Sequence, residues 1–153
     1  MDEIFEKAIA ETMTWVVDTI LIPHFMSLGL NATGEWVANV GTRVEKNKGI
    51  ISGRKYSEQL VWGRNPGKPP PISPLIKWAE VKLGLSGQQA VSAAFAISNK
   101  IANEGTEIFK QGGTDLLEIL EAPETVSKIT KHLADHVTAD VQLFLEREIV
   151  KAW

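Results

Sequence analysis

The sequence predicts a small α+β fold, in which a hairpin-based antiparallel β-sheet is packed by three to four helices, with long N- and C-terminal helices. Near both ends of the chain, apolar residues recur at spacings of three and four, which is the period of an amphipathic helix. Between them, apolar and polar residues alternate before a turn that contains glycine, as in a β-hairpin. The chain of 153 residues has the length of a single domain, which we expect to cover residues 1–153.

The N-terminal helix is predicted over residues 2–22. Its apolar positions form one stripe, made of Phe5, Ile9, Met13, Val16 and Ile20. Acidic residues in its first turns suit the positive end of the helix dipole. Pro23 should kink or end the helix, because proline lacks the backbone N–H and its ring clashes with the preceding turn.

A strand is predicted over residues 36–45, where side chains of opposite character alternate from Trp36 to Glu45. The turn is placed at Asn47-Lys48-Gly49, because glycine accepts positive φ. Residues 50–52 then begin the return strand. The following residues 55–62 are predicted as a short helix that ends at Gly63.

Helices also dominate the second half of the chain. One starts at Ser73-Pro74, where the serine hydroxyl can cap the first turn, and ends at Gly84. The next opens with a capping box at Ser86 and Gln89 and ends at Gly105. Residues 109–113 are predicted as a loop, and the short apolar run at residues 116–120 as either a strand or a helix. The last helix opens near Pro123, and its stripe contains Val126, Ile129, Leu133, Val137, Val141 and Phe144.

Charge is unevenly distributed, although the net charge is only −3. Residues 1–42 carry one lysine and six acids, residues 43–68 carry seven basic residues and two acids, and residues 100–153 carry six basic residues and ten acids. A chain with a basic middle and acidic ends suits contact with a copy of itself or with a polyanion. The acidic N-terminus does not have the basic start of a secretory signal, and no apolar run is long enough for a membrane span.

No catalytic constellation is visible, so we do not expect an enzyme, a cofactor or catalytic residues. The chain has no cysteine and no Gly-x-Ser-x-Gly motif. His132, His136 and Asp140 have a helical spacing that can hold a metal. We nevertheless expect no metal site, because Leu133 stands where zinc peptidases carry a glutamate and belongs to the apolar stripe.

The chain is organised around residues 56–79, which we call the connector. It contains five of the seven prolines and two of the five tryptophans. Residues 68–72 should form a stiff, polyproline-like strut, because each proline fixes its own φ and restricts the residue before it. The connector is either a plain structural linker or a rigid arm that contacts a partner. Its candidate contact residues, together with flanking ones and the terminal tryptophan, are Arg54, Lys55, Trp62, Arg64, Asn65, Lys68, Pro69, Pro70, Pro71 and Trp153.

Nucleic acid is the alternative partner for this region. The hairpin and the loops after it, residues 43–68, combine basic residues with Tyr56 and Trp62, and such combinations bind strands by charge and stacking. The hairpin contributes three basic residues that could face DNA, namely Arg43, Lys46 and Lys48.

The connector also resembles a known family. It reads Tyr-Ser-Glu-Gln-Leu-Val-Trp-Gly over residues 56–63, then Gly-Lys-Pro-Pro-Pro over residues 67–71, followed by a helix with Trp78. This pattern is similar to the tail-completion or head–tail joining proteins of tailed double-stranded-DNA bacteriophages. The likeness is close over about 25 residues and loose over most of the chain, and it departs from the family pattern at Ser57, Val61 and Arg64.

The resemblance implies a structural virion protein that forms a six- or twelve-fold homo-oligomeric ring in the phage neck. Its partners would be copies of itself and other neck, portal or tail proteins, and genome DNA could pass through the bore. The resemblance implies a location in the virion after assembly in the host cytoplasm, without contact with a membrane.

Overall fold

A computed structural model describes residues 1–151, and the chain is 68% helical with one two-stranded antiparallel sheet. The predicted α+β class and the long terminal helices are confirmed. The strands are β1 (Gly41–Glu45) and β2 (Lys48–Ser52). The α-helices are α1 (Asp2–Val16), α2 (Ile22–Ser27), α3 (Glu35–Asn39), α4 (Ser57–Trp62), α5 (Ile72–Leu83), α6 (Gly87–Glu104), α7 (Glu107–Lys110) and α8 (Pro123–Lys151).

The chain divides into two compact units that alternate along the sequence. Unit 1 consists of Met1–His24, Val40–Ser52 and the described residues from Leu117 onward. Unit 2 consists of Phe25–Asn39 and Gly53–Leu116. The assignment of residues 1–153 to a single domain stays a prediction, and the two units are described separately.

In unit 1, α1 packs against α8 and against both strands. The residues of α1 that are fully buried are Ala8, Thr12 and Val16, which follow one another at intervals of four. The buried face of α1 therefore carries smaller side chains than the predicted stripe, and Phe5 of that stripe is exposed. On α8 the predicted stripe positions Val126 and Phe144 are also exposed. Residues beyond Asp140 have little of α1 left to pack on, because Asp140 already pairs with Lys7 near the start of α1.

The hairpin pairs Gly41 with Ser52 and Glu45 with Lys48. Its turn therefore lies at residues 46–47, and the placement at Asn47-Lys48-Gly49 was wrong. Lys46 has the positive φ, at 55°. Gly49 is a strand residue whose need for glycine is steric: an added Cβ would lie 2.4 Å from Cγ of Met13 in α1.

The predicted strand begins too early, because Trp36 to Asn39 belong to helix α3. Gly34, with φ of 74°, allows the chain to enter this helix. The Trp36 ring is buried in unit 2, where it stacks on Phe25 with centroids 4.2 Å apart. Its indole N–H donates to the hydroxyl of Ser57 at 3.0 Å. These tertiary contacts select helix over the alternating pattern of the sequence.

Pro23 does not end the first helix. A π-helical turn, Val17–Leu21, follows α1, and the N–H of Ile22 donates to the carbonyl of Val17, five residues earlier. Helix α2 then contains Pro23 at its second position. The wide turn stands where an ordinary α-turn would bring the proline ring against the carbonyl of residue 19.

In unit 2, α5 packs against α6. Ala79 of α5 and Ala90 and Ala94 of α6 are fully buried, and such small side chains let two helices approach closely. Gly84 ends α5 in the left-handed conformation, as predicted, with φ of 65°. The start of α5 was placed too late, because Pro71 is its N-cap and Ser73 does not cap it. Ser86 is the N-cap of α6, although its hydroxyl accepts no capping hydrogen bond.

The short segments differ from prediction in one place. Residues 109–113 are not wholly a loop, because α7 extends through Phe109 to Lys110. The hydroxyl of Thr106 caps this short helix by accepting from the N–H of Phe109. The short helix before Gly63 is confirmed as α4. The apolar run at residues 116–120 contains a 3-10 helix, Glu118–Leu120.

Candidate interaction surface

The connector is held in place by hydrogen bonds of its backbone to α6 and to the segment that follows α6. Thr106 makes two of them: its N–H donates to the carbonyl of Arg64, and its hydroxyl accepts from the N–H of Arg64, both at 2.9 Å. The N–H of Gly67 donates to the carbonyl of Ala102 at 2.8 Å, and the N–H of Thr114 donates to the carbonyl of Val61. Hydrogen bonds therefore hold the connector backbone at Val61, Arg64 and Gly67.

The proline strut is also anchored, but it ends one residue earlier than predicted, because Ile72 is the first residue of α5. Pro71 has φ of −57° and ψ of 140°, which are polyproline II values. The carbonyl of Pro70 accepts a hydrogen bond of 3.0 Å from the hydroxyl of Ser98, which is 3% exposed. The guanidinium of Arg64 donates to the carbonyl of Lys68 at 3.1 Å. Lys68, Pro69 and Pro71 are exposed, whereas Pro70 is half-buried.

An aromatic cleft is formed by residues that precede the strut in the sequence and by residues in and after α7. Trp62, 61% exposed, and Phe109, 42% exposed, line a cleft of about 320 Å³ together with Gly63, Asn65 and Gly112. An added Cβ on Gly63 would lie 2.2 Å from the backbone nitrogen of Phe109, so the backbone at Gly63 lies in close contact with the backbone of α7. Trp62 and Asn65 were predicted as contact residues, but Phe109 was not, because its partner is more than forty residues away in sequence.

The predicted basic residues fall in both units. Arg43, Lys46 and Lys48 belong to the hairpin of unit 1, where Arg43 forms an ion pair of 3.0 Å with Glu45. Arg54, Lys55, Arg64 and Lys68 belong to unit 2. Arg54 and Lys55 are exposed at the turn before α4. Trp78 on α5, mentioned above as part of the family pattern, is 36% exposed. Trp153 lies outside the described residues.

A charged group lies close to Arg54 in unit 2. The ammonium of Lys77 donates to the carboxylate of Glu35 at 2.5 Å, and this hydrogen bond lowers the pKa of Glu35 below its usual value. Burial raises the pKa of Tyr56, and the negative charge of Glu35 raises it further. Arg54 and Lys77 act in the opposite direction on Tyr56. The ion pair of Lys77 and Glu35 is exposed and joins α5 to α3.

A second candidate surface, which the sequence only partly indicated, lies on α1 and α8 of unit 1. The rings of Trp15 and His132 stack with centroids 4.3 Å apart and planes inclined by 17°. Thr12 Oγ1 and His132 Nδ1 share a hydrogen bond of 3.1 Å. His136 follows one turn later, with its ring centroid 4.4 Å from that of His132 and its Nδ1 2.8 Å from a carboxylate oxygen of Glu11.

These side chains border an open groove of about 580 Å³, which we call the α1–α8 groove. It is lined by Ala10, Glu11, Thr14, Trp15, Asp18, Thr19, His132 and His136. Burial lowers the pKa of His132 below the 6.5 of an ordinary imidazole, and the neighbouring His136 lowers it further. The groove brings the carboxyl groups of Glu11 and Asp18 together with the ring of Trp15.

The helical spacing of His132, His136 and Asp140 does not produce a metal-binding triad. Asp140 instead accepts two hydrogen bonds from the ammonium of Lys7, at 3.0 and 3.1 Å. Within residues 1–151 there is no cluster of three or more histidine, aspartate or glutamate side chains that could hold a metal ion. No helix in the described part of the chain is long and apolar enough to cross a membrane.

Comparison of the chain with protein-family models, with curated proteins and with solved structures finds no match.

Proposed function

We propose that the chain is a structural subunit of a phage neck, which works by binding copies of itself in a ring between the portal and the tail. The connector carries this proposal. Hydrogen bonds to other segments hold its backbone at positions between Val61 and Pro70, yet the side chains of Trp62, Lys68 and Pro69 are exposed. A rigid, exposed segment without catalytic groups serves binding, since little conformational entropy is lost when it contacts a partner.

The side-chain types on the connector support the same role. Tryptophan and arginine are enriched among the few residues that contribute most of the binding energy at protein interfaces. Trp62, which is exposed, and Arg64, which is half-buried, provide both residue types within three positions, and Phe109 enlarges the apolar surface. The basic middle and acidic ends of the chain favour contact between unlike faces of neighbouring copies. Contact between unlike faces, repeated by a rotation that closes, produces a ring.

The test is the size and shape of the purified 153-residue chain. Light scattering and electron microscopy should detect closed rings for the wild type and only small species for the double variant Arg64→Glu/Lys68→Glu. A control, Lys82→Glu/Lys100→Glu, changes the net charge equally at two exposed lysines of the same unit and should still form rings. Circular dichroism should give the same helix content for all three proteins. A monomeric wild type, or rings in the connector variant, would contradict the proposal.

A nucleic-acid-binding module is the second candidate, and the aromatic cleft favours it. Trp62 and Phe109 offer two exposed ring faces, and Arg64 follows in the sequence. Bases stack on such rings while cations hold the phosphates. A stable monomer whose DNA affinity falls steeply with added salt, and falls again in Trp62→Ala, would support this function instead of the ring.

A further inference from the structure

We propose that the α1–α8 groove is the docking site for Lys68 and Pro69 of a second copy of this chain. The inference rests on the proposed ring and identifies which two faces meet in it. One face is the groove of unit 1, and the other is the proline strut of unit 2.

The groove has the chemistry of a receptor for one cationic side chain. Glu11 and Asp18 contribute two carboxylates, and Trp15 contributes a half-buried aromatic face between them in sequence. Asp18 is exposed and forms no ion pair with any residue from 1 to 151. Carboxylates and an indole face together attract an ammonium or guanidinium group. The volume of about 580 Å³ lies within the range of roughly 300–1,000 Å³ that is usual for ligand pockets.

The strut has the complementary chemistry. Lys68 is exposed, and no carboxylate of the described residues lies within ion-pair distance of its ammonium. Its carbonyl accepts a hydrogen bond from the guanidinium of Arg64, and the carbonyl of Pro70 accepts one from the hydroxyl of Ser98. The position from which the lysine side chain extends is therefore fixed before binding. The exposed Pro69 ring beside it offers an apolar surface to the indole of Trp15.

The two faces are different surfaces of one chain. Each copy can therefore give its strut to one neighbour and accept the strut of another, which is the head-to-tail arrangement that closes into rings. The arrangement also accounts for the uneven charge, because the groove lies in an acidic part of the sequence and the strut ends the basic part. Attraction between such faces should weaken as salt is added.

A charge exchange tests the pairing in the assembled protein. Asp18→Lys alone and Lys68→Glu alone should each reduce the ring fraction at least fivefold at pH 7.5, and the double variant Asp18→Lys/Lys68→Glu should recover it. The control, Glu6→Lys/Lys68→Glu, reverses an exposed acid of α1 outside the groove and should not recover assembly. If the Asp18→Lys variant forms rings to the same extent as the wild type, this inference is overturned while the proposed function stands.

A peptide experiment tests the same pairing without assembly. A fluorescent peptide of residues 63–73 is titrated into the Lys68→Gln chain, whose own struts cannot fill the grooves of neighbours. The peptide should bind. Adding Asp18→Asn and Glu11→Gln to this chain should weaken peptide binding at least tenfold. The control substitutions Glu3→Gln and Glu6→Gln should not weaken it. A peptide with glutamate at position 68 should not bind. The inference is overturned, even if the wild type forms rings, if the first peptide does not bind. It is also overturned if Nα-acetyl-lysine methylamide binds as tightly as that peptide.

Discussion

The hydroxyl of Ser98 in α6 donates a 3.0 Å hydrogen bond to the carbonyl of Pro70 in the proline strut. Because the strut has no regular hydrogen-bonding pattern of its own, this bond and the one from Gly67 to Ala102 hold it on α6. The strut is therefore an extension of the α5–α6 packing, positioned by a residue that is distant in sequence.

Replacing Ser98 by alanine should loosen the strut. The loss of a buried hydrogen bond that leaves the Pro70 carbonyl without its donor should lower the free energy of unfolding by about 1–2 kcal/mol. Hydrogen exchange at Lys68 and at Ile72 should become faster. Ser92→Ala changes an exposed serine of the same helix and should alter the free energy of unfolding by less than about 0.5 kcal/mol. Equal effects of the two substitutions would contradict the anchoring role.

Gly63 should tolerate no side chain. Its φ of 75° and ψ of −169° suit only glycine, and an added Cβ would meet the Phe109 backbone at 2.2 Å. We expect Gly63→Ala to lower the free energy of unfolding by about 3 kcal/mol or more, measured by urea denaturation. Gly84 is the control, because its φ is also positive but nothing lies within 4 Å of an added Cβ. Gly84→Ala should cost only about 1–2 kcal/mol, and a smaller loss at Gly63 than at Gly84 would refute the close approach.

The stacked His132 should make stability depend on pH. Burial and His136 lower its pKa in the folded state, whereas Glu11 and Asp135 raise it, with a net decrease. The folded state thus binds this proton less well than the unfolded chain, whose histidine titrates near 6.5. The stability that the neutral ring contributes is present above that pH and is lost as pH falls below it.

The measurement is the urea midpoint of the wild type and of His132→Gln between pH 8 and pH 5. The wild type should be more stable at pH 8, because the imidazole stacks on Trp15, and its advantage should shrink as the pH falls below about 6.5. The variant is the matched control, since it differs from the wild type only at residue 132 and retains every other titratable group. A difference that stays constant over the whole range would be inconsistent with the lowered pKa.

Local patterns were sufficient to predict much of the fold. The positions of α1, α6 and α8 follow from helical periodicity and flanking glycine or proline, because these signals lie within the segment itself. Residues 36–39 were assigned wrongly, because their alternation is typical of a strand while the Phe25 ring and the Ser57 hydroxyl hold Trp36 in a helix. Gly49 was assigned to the turn because glycine accepts positive φ, whereas the actual reason for glycine is its contact with Met13, which lies in another element.

The candidate surfaces follow the same rule. Trp62, Arg64 and Lys68 could be named from the sequence, because tryptophan and basic side chains stand next to a run of glycines and prolines there. Phe109 and the Trp15–His132 stack could not, because each brings together residues that are more than forty positions apart. Periodicity placed the two histidines on one side of α8, but only packing against α1 provides Glu11 and Trp15 as their partners.

The most direct measurement of the central claim is photo-cross-linking from the strut. Pro69 is replaced by p-benzoylphenylalanine in the 153-residue chain, the protein is irradiated after assembly, and the adducts are separated on a denaturing gel and mapped by mass spectrometry. We predict adducts between two copies of the chain, joined to residues of α1 or α8, and their loss when Asp18 is changed to lysine. Assembled particles that yield no adducts between chains would show that the strut touches no second copy, which would contradict the account.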